Sequence, residues 1–280
     1  MLCVVTVNYY SKSWIVDLIR TLESDLGISC QLLIVNNSPD DRNITELQSE
    51  FIVVLESGRN IGFGCACNLA LNYIFAENSS ALVWLINPDA KLVEGAIETC
   101  THLFSFYPNL SILGTTIYTP TNQPWFTGGR FIKAWGQILE QGIAFEDSDV
   151  DYQICDWVSG CSLILNLKQF KICPQFDPTY FLYYEDVDFC LRYQQQGHLI
   201  AITPKIQVTH HPSSITNQNL SKKFQYSTYG YLLTLHRYSP WPVLLLRLLR
   251  VGLYALLLWP CRPDISQGKL TGLWQYLTRD

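Results

Sequence analysis

The chain has 280 residues, 48% of them hydrophobic and 15% charged, with a formal net charge of −5. Length and composition predict one large domain, or one domain with an appendage, around a sizeable core, and they exclude wholesale disorder. An acidic chain with no dense run of Lys and Arg is not a nucleic-acid binder, because phosphate contacts need those cations.

The ten cysteines include no Cys-x-x-Cys pair, and most lie in apolar runs. They read as small core residues in a reducing compartment. The N-terminus has no basic region and runs straight into a strand-like pattern, so no signal peptide is expected and the chain is placed in the cytoplasm.

Residues 2–7 form a short β-prone run that ends at Asn8-Tyr9, and a helix is expected over 14–24. A second apolar strand, 31–35, ends in the turn-rich cluster Asn36-Asn37-Ser38-Pro39-Asp40-Asp41. A third strand is expected over 51–55. The segment Gly58 to Gly64 then leads into a helix over 65–75. A fourth strand, 81–86, ends at Asn87-Pro88-Asp89, and a further helix is expected over 93–106. Strands alternating with helices predict a doubly wound parallel sheet. In such a sheet ligands bind beyond the carboxyl ends of the strands, where these polar clusters fall.

Gly62-Phe63-Gly64 lacks the third glycine of a dinucleotide fingerprint, and no Gly-Lys-Ser/Thr follows it. It can still let the backbone approach a ligand, with a helix N-terminus behind it. Asp89, held by a proline just past a strand, can place one oxygen on a hard cation; it can equally cap the next helix. Further on, Glu185, Asp186 and Asp188 follow the aromatic, β-prone run 180–184 and open a helix. They suit the first turn of any helix, through its dipole. They also suit a general base with supporting acids in a partly dry pocket.

Taken together, these motifs resemble family 2 glycosyltransferases of the GT-A fold, in their rhamnosyltransferase-like branch. The likeness runs over about residues 4–214. It rests on Val7-Asn8-Tyr9, on Asn60-Ile61-Gly62-Phe63-Gly64 with Asn68, on Leu85-Ile86-Asn87-Pro88-Asp89, and on Trp157-Val158-Ser159-Gly160 followed by Phe176-Asp177 and Tyr184-Glu185-Asp186-Val187-Asp188. The resemblance implies an α/β, Rossmann-like, mostly parallel sheet with helices on both faces. It implies a catalytic domain over residues 1–215 and a C-terminal helical extension over 216–280.

The same resemblance implies site roles. Thr6, Asn8, Tyr9, Asn36, Asn37, Asn60, Gly62, Phe63, Asn68 and Asn87 would form the nucleotide side. Asp89, completed by His210, would hold a divalent cation, magnesium or manganese. Asp186 would be the base, with Glu185 and Asp188 shaping the site. Trp157, Ser159, Gly160 and Glu185 would face the acceptor, with the Trp157 ring either stacked on a sugar or packed in the core. One departure stands out: Asn36-Asn37 occupies the place where the family carries an Asp-Asn pair, which loosens the expected choice between uracil and thymine.

The implied reaction moves rhamnose, or a related hexose, from a nucleotide-diphosphate donor to a hydroxyl of a glycan or lipid-linked saccharide, with inversion. A nucleotidyltransferase acting on sugar phosphates, or a non-catalytic sugar-nucleotide-binding subunit, are the competing classes. Residues 125–144 read as loops or a short hairpin over the acceptor side. Residues 241–259 are Leu-rich and would span about 28 Å as a helix. Arg247 and Arg250 fall mid-segment, at about 2.5–3.5 kcal/mol each in a bilayer centre. That predicts a helix lying in the cytoplasmic membrane interface, or packed on another subunit of a homo-oligomer, rather than one spanning the bilayer; the plain alternative is a helix that closes the core.

Overall fold

A computed structural model describes residues 2–23, 25, 29–145, 150–211 and 219–279. The expected boundary at 215/216 and the helix end at residue 24 lie outside the described residues.

The strands β1 (Leu2–Asn8), β2 (Cys30–Asn36), β3 (Ile52–Glu56) and β4 (Leu82–Ile86) line up as β4-β1-β2-β3, all parallel. Their sequences are nearly continuous apolar runs because both faces are covered. Every residue of β1 is buried. The helices α1 (Lys12–Leu22) and α2 (Phe63–Glu77) supply cover here, and α3 (Ala96–Phe106) packs on the other half of the sheet. α1 turns Ile15, Leu18 and Leu22 inward, at helical spacing.

The other half of the sheet is mixed, and a hairpin outside it forms a two-stranded sheet of its own. β5 (Ala90–Leu92) is followed by β6 (Ile112–Tyr118), β7 (Pro124–Phe126), the hairpin β8 (Arg130–Ile132) and β9 (Gln137–Leu139), then β10 (Gln153–Ile154) and β11 (Ser162–Asn166). The helix α4 (Glu185–Gln195) leads to β12 (Ile200–His210). The full order is β10-β12-β6-β11-β4-β1-β2-β3, with β5 on β12 and β7 on β6. β12 and β6 run parallel, whereas β11 is antiparallel to both β4 and β6. β11 therefore starts at the site end of the sheet and runs away from it, so that the loop before it, residues 157–161, lies at the carboxyl end of β4.

Two expectations shift. The helix predicted from residue 93 begins at Ala96, because Ala90–Leu92 is taken up in pairing with β12 and Gly95 makes a left-handed turn. The aromatic run 180–184 is not a strand. Tyr183 and Tyr184 both have positive φ, and Phe181 O accepts the Phe63 N–H at 3.1 Å. Gly62, at φ 85°, lies directly beneath that carbonyl, where a Cβ would collide with it. The acceptor-side segment is thus docked on the glycine loop.

The ten cysteines are unpaired, and most are buried. Beyond the sheet, α5 (Leu220–Tyr238), α6 (Trp241–Leu258) and α7 (Pro263–Leu277) pack on one another. Asn219 caps α5, its side chain accepting the Lys222 N–H.

The seam between the two halves of the sheet carries a buried polar relay. Trp84 Nε1 donates to Ser162 Oγ at 3.0 Å, and Thr115 Oγ1 bonds the same hydroxyl at 2.8 Å. Orphaning a buried donor costs about 1–3 kcal/mol. Ser162→Ala is therefore expected to lose that much stability in urea unfolding, and a loss within error of zero would remove the relay from the account.

Candidate active site

Four amides close the ends of β1 to β3. Asn8 Nδ2 donates to Asn36 Oδ1 and to Asp41 Oδ2, both at 3.0 Å. Asn36 Nδ2 donates to Glu56 at 2.9 Å, and Asn37 Nδ2 to Asn60 Oδ1 at 3.1 Å. Asn60 Oδ1 also accepts the Gly62 N–H at 3.0 Å, and Asn37 Oδ1 the Ile61 N–H at 2.9 Å. The amide at position 36 has a physical reason: an aspartate there would face the Glu56 carboxylate with no proton to offer. Asn8, Asn36 and Asn37 are buried and bonded to protein, so they shape the floor. Tyr9 is exposed at its edge, and Tyr10, Lys12, Ser13, Asp40 and Asp41 line an open depression of about 320 Å³ beside it. Asp41, through Asn8, is the acid tied to the floor; Asp40 is exposed.

Two of the expected nucleotide-side residues act otherwise. Asn68 bonds the backbone of Phe176 in both directions, at 2.9 and 2.7 Å, stapling α2 to the acceptor-side segment. Thr6 is buried within β1, and its hydroxyl has no partner among the described residues. Asn87 is half-buried at the end of β4, and its backbone N–H donates to Cys161 O at 2.9 Å.

Asp89 and His210 come together. Asp89 Oδ1 lies 3.2 Å from His210 Nε2, both side chains are buried, and β5 pairs with β12 at this point. His211 N donates to Asp89 O at 3.2 Å, and the Trp125 ring lies 4.8 Å from that of His210. One carboxylate oxygen and one imidazole nitrogen at this separation suit neighbouring positions of an octahedral shell, whose adjacent donors are about 3 Å apart. Among the described residues no third His, Cys, Asp or Glu joins them. The pair fits a cation whose remaining positions are filled by diphosphate oxygens and water.

Asp186 sits half-buried in the first turn of α4. Its Oδ2 accepts the Gly160 N–H and its Oδ1 the Val187 N–H, each at 2.9 Å. Burial pushes its carboxyl up, and the two backbone donors pull it back. Glu185 is buried, its Oε2 has no partner among the described residues, and burial and then the charge of Asp186 push it well up. Of the pair, Glu185 is the one that keeps a proton, while Asp186 has the donors that stabilise an anion.

Asp89 and Asp186, nearly a hundred positions apart, approach either side of residues 160–161. Asn87, two residues before Asp89, bonds Cys161 O; Gly160 N bonds Asp186. The buried Cys161 thiol is pushed up by burial and then by both carboxylates. Gly160 leaves the space open: a Cβ there would sit 3.1 Å from the Phe63 ring and 3.5 Å from Asp186 Cβ.

Two assignments are corrected by burial. Asp188 is 0% exposed and is consumed by Arg192 Nε at 3.1 Å, Arg237 Nη1 at 2.7 Å and Tyr238 OH at 2.8 Å. It ties α5 to α4 and has no surface to offer an acceptor. Trp157 is 5% exposed, packed 4.9 Å from Phe126, so its ring is core and not a sugar platform. Ser159 Oγ accepts the Cys161 N–H at 3.2 Å and shapes the turn. Glu140 was missed. It follows β9, exposed to solvent, yet its carboxyl is raised by desolvation and then by Asp186. No local pattern marks it, because only the hairpin brings it there.

No family profile matches the chain. The fold is that of GT-A glycosyltransferases: GalNAc-T7, solved with UDP, GalNAc and Mn²⁺, superposes with a TM-score of 0.59 at 10% identity over 75% of this chain and 43% of that one. The mannosyltransferase PcManGT of Pyrobaculum calidifontis, solved with GDP-Man and Mn²⁺, gives 0.54 at 12% identity over 99% of this chain and 87% of that one.

Curated relatives in sequence are a low-salt glycan biosynthesis hexosyltransferase of Haloferax volcanii, 22% identical over 70% of this chain, and the N-acetylglucosaminyl-diphospho-decaprenol L-rhamnosyltransferase of Mycobacterium tuberculosis, 25% identical over 67% of this chain and 68% of that protein. Rhamnosyltransferase WbbL of Escherichia coli is 21% identical over 83% of this chain and 92% of its own length. The match spans 62% of the Haloferax protein. Fold and relatives agree with the motif-level likeness to family 2 GT-A proteins of the rhamnosyltransferase-like branch.

Two measurements separate these carboxylates. A buried acid whose folded pKa is raised binds more protons folded than unfolded, so it lowers stability as pH rises from its ordinary range near 4.5. Glu185→Gln should therefore flatten the fall in Tm between about pH 5 and about pH 8, and an unchanged slope would show that Glu185 ionises normally. Asp188→Ala removes the sealed carboxylate that Arg192, Arg237 and Tyr238 share, although Arg237 keeps Asp177 at 2.8 Å, and is expected to cost about 3 kcal/mol in chemical unfolding. A loss under about 1 kcal/mol would show that this cluster does not hold α5 to α4.

Proposed function

We propose that this chain is a metal-dependent, inverting glycosyltransferase that moves rhamnose or a related hexose from a nucleotide-diphosphate donor to a hydroxyl of a glycan or lipid-linked saccharide. The observation that carries the reading is the placement of Asp89 and Asp186 on either side of residues 160–161. One carboxylate is paired with an imidazole and suits a cation; the other is held by backbone donors and suits a base. The relatives' names support the sugar and acceptor classes.

In this reading the donor's nucleoside lies over the amide floor of β1 to β3, beside Tyr9. Asp89 and His210 would hold a magnesium or manganese ion, which would supply charge stabilisation to the leaving diphosphate. Asp186 takes the acceptor hydroxyl proton as the oxygen bonds the anomeric carbon from the face opposite the diphosphate. The carbon–oxygen bond to the diphosphate breaks, and nucleoside diphosphate leaves with the electron pair. Gly160 N fixes the Asp186 carboxylate, and Glu185, neutral beside it, spares the site a second negative charge. By analogy with the relatives' roles in glycan assembly, the reaction is assigned to the cytoplasmic side of the envelope.

A positioned base is worth about 10²–10⁴-fold in rate. Asp186→Asn should fold, bind donor with unchanged affinity, and lose turnover by that factor. Near-normal turnover would remove Asp186 from the mechanism. Release of pyrophosphate instead of nucleoside diphosphate by the unaltered chain would replace the reading with nucleotidyl transfer. A thermal-shift screen of nucleotide sugars with and without manganese identifies the donor, since ligand at about a hundred times Kd adds about 2.7 kcal/mol of stability.

A further inference from the structure

The C-terminal helices carry an apolar face that no described residue covers. α6 has a mean hydropathy of 1.7, and within it only Ala255 is buried. Leu246, Leu249, Leu253, Leu256 and Leu257 are each more than 60% exposed, and Trp241 and Trp259 stand exposed at the two ends. Tryptophan at both ends of an apolar helix is the pattern of a membrane interface.

On the edge of that face lies a cavity of about 270 Å³, lined by Tyr231, Arg247, Arg250, Val251 and Tyr254. Arg247, Arg250, Val251 and Tyr254 share one side of α6 at helical spacing, and Arg250 sits about 40° around the helix from Leu246. Arg247 donates to Trp135 O, with its Nε at 3.0 Å, and Tyr231 OH donates to Gly136 O at 2.7 Å. The turn of the β8–β9 hairpin is thereby fastened to the middle of α6. A helix held to the catalytic domain at its midpoint lies against a bilayer rather than through it. Lys269 Nζ adds a third cation, 5.5 Å from the Tyr254 ring centroid.

The charge pattern says what covers this face. Between Asp188 and Asp264 there are eight lysines and arginines and no acidic residue, in a chain whose net charge is −5. A second copy of the same surface would oppose cation to cation. An anionic membrane would match both the charge and the exposed leucines.

We propose that α6 lies in an anionic lipid interface, with Arg247 and Arg250 holding a lipid phosphate in the cavity against Tyr231 and Tyr254. One residue of the cavity wall also touches the segment that leads into α4. The Tyr231 and Tyr184 rings are 5.8 Å apart, and Tyr184 is the residue from which α4 starts, two before Asp186. A phosphate held there would sit on the acceptor side of the site. Lipid binding itself does not depend on the transferase reading.

The test is co-sedimentation of the full chain with vesicles of phosphatidylcholine, alone or with about a third phosphatidylglycerol. Binding to the anionic vesicles and little to the neutral ones is expected. Arg250→Ala, at an exposed position, should weaken it about fivefold and Arg250→Glu further, since each basic side chain near such a surface is worth about that factor. Leu249→Asp should weaken binding while leaving Tm unchanged, because that side chain is exposed. Equal binding to both vesicle types, or binding indifferent to Arg250, would overturn the phosphate site. A stable dimer in light scattering with no vesicle binding would overturn the lipid assignment.

Discussion

The arrangement of the candidate site depends on one backbone hydrogen bond, from Asn87 N to Cys161 O at 2.9 Å. It extends the antiparallel pairing of β11 with β4 past the strand ends and sets the loop before β11 against the end of β4. Asp89 follows one side of that bond. On the other side Gly160 presents its N–H to Asp186. Without the reversed strand, α4 and the β4 end would belong to separate halves of the sheet. The polar relay through Trp84, Ser162 and Thr115 holds the same seam from within.

Three neighbouring carboxylates in one helical turn end with three different fates because their surroundings differ. Asp188 is sealed and neutralised by two arginines and a tyrosine, so it holds the C-terminal helices to the catalytic half. Glu185 is buried, one of its oxygens has no partner among the described residues, and it keeps its proton. Asp186 alone is half-exposed and carries two backbone donors. The helix dipole favours all three alike. Burial and partners are what divide the work.

Much of the fold was legible because its signals are local. The runs 2–7, 31–35 and 81–86 are too apolar for anything but strands covered on both faces, and all three lie in the parallel half of the sheet. The pairing of Asp89 with His210 and the hairpin within 125–144 were reached through the family likeness and the turn chemistry. What stayed hidden depends on tertiary placement. β6 and β11 give no sign in sequence of which neighbour they choose. Tyr183 and Tyr184 belong to residue types that favour strands, yet both take positive φ just after Phe181 docks on the glycine loop. Trp157 and Asp188 carried motif signals that cannot tell a ligand contact from a core contact. Glu140 carried none.

The claim beneath all of this is that the cation pair and the base share one cleft around residues 160–161. The most direct measurement is an anomalous difference map from a crystal grown with manganese and a nucleoside diphosphate. The account predicts a manganese peak bonded to Asp89 and His210 Nε2, with the diphosphate on the Gly160 and Asp186 side. A peak elsewhere, or a diphosphate turned away from Asp186, would contradict it.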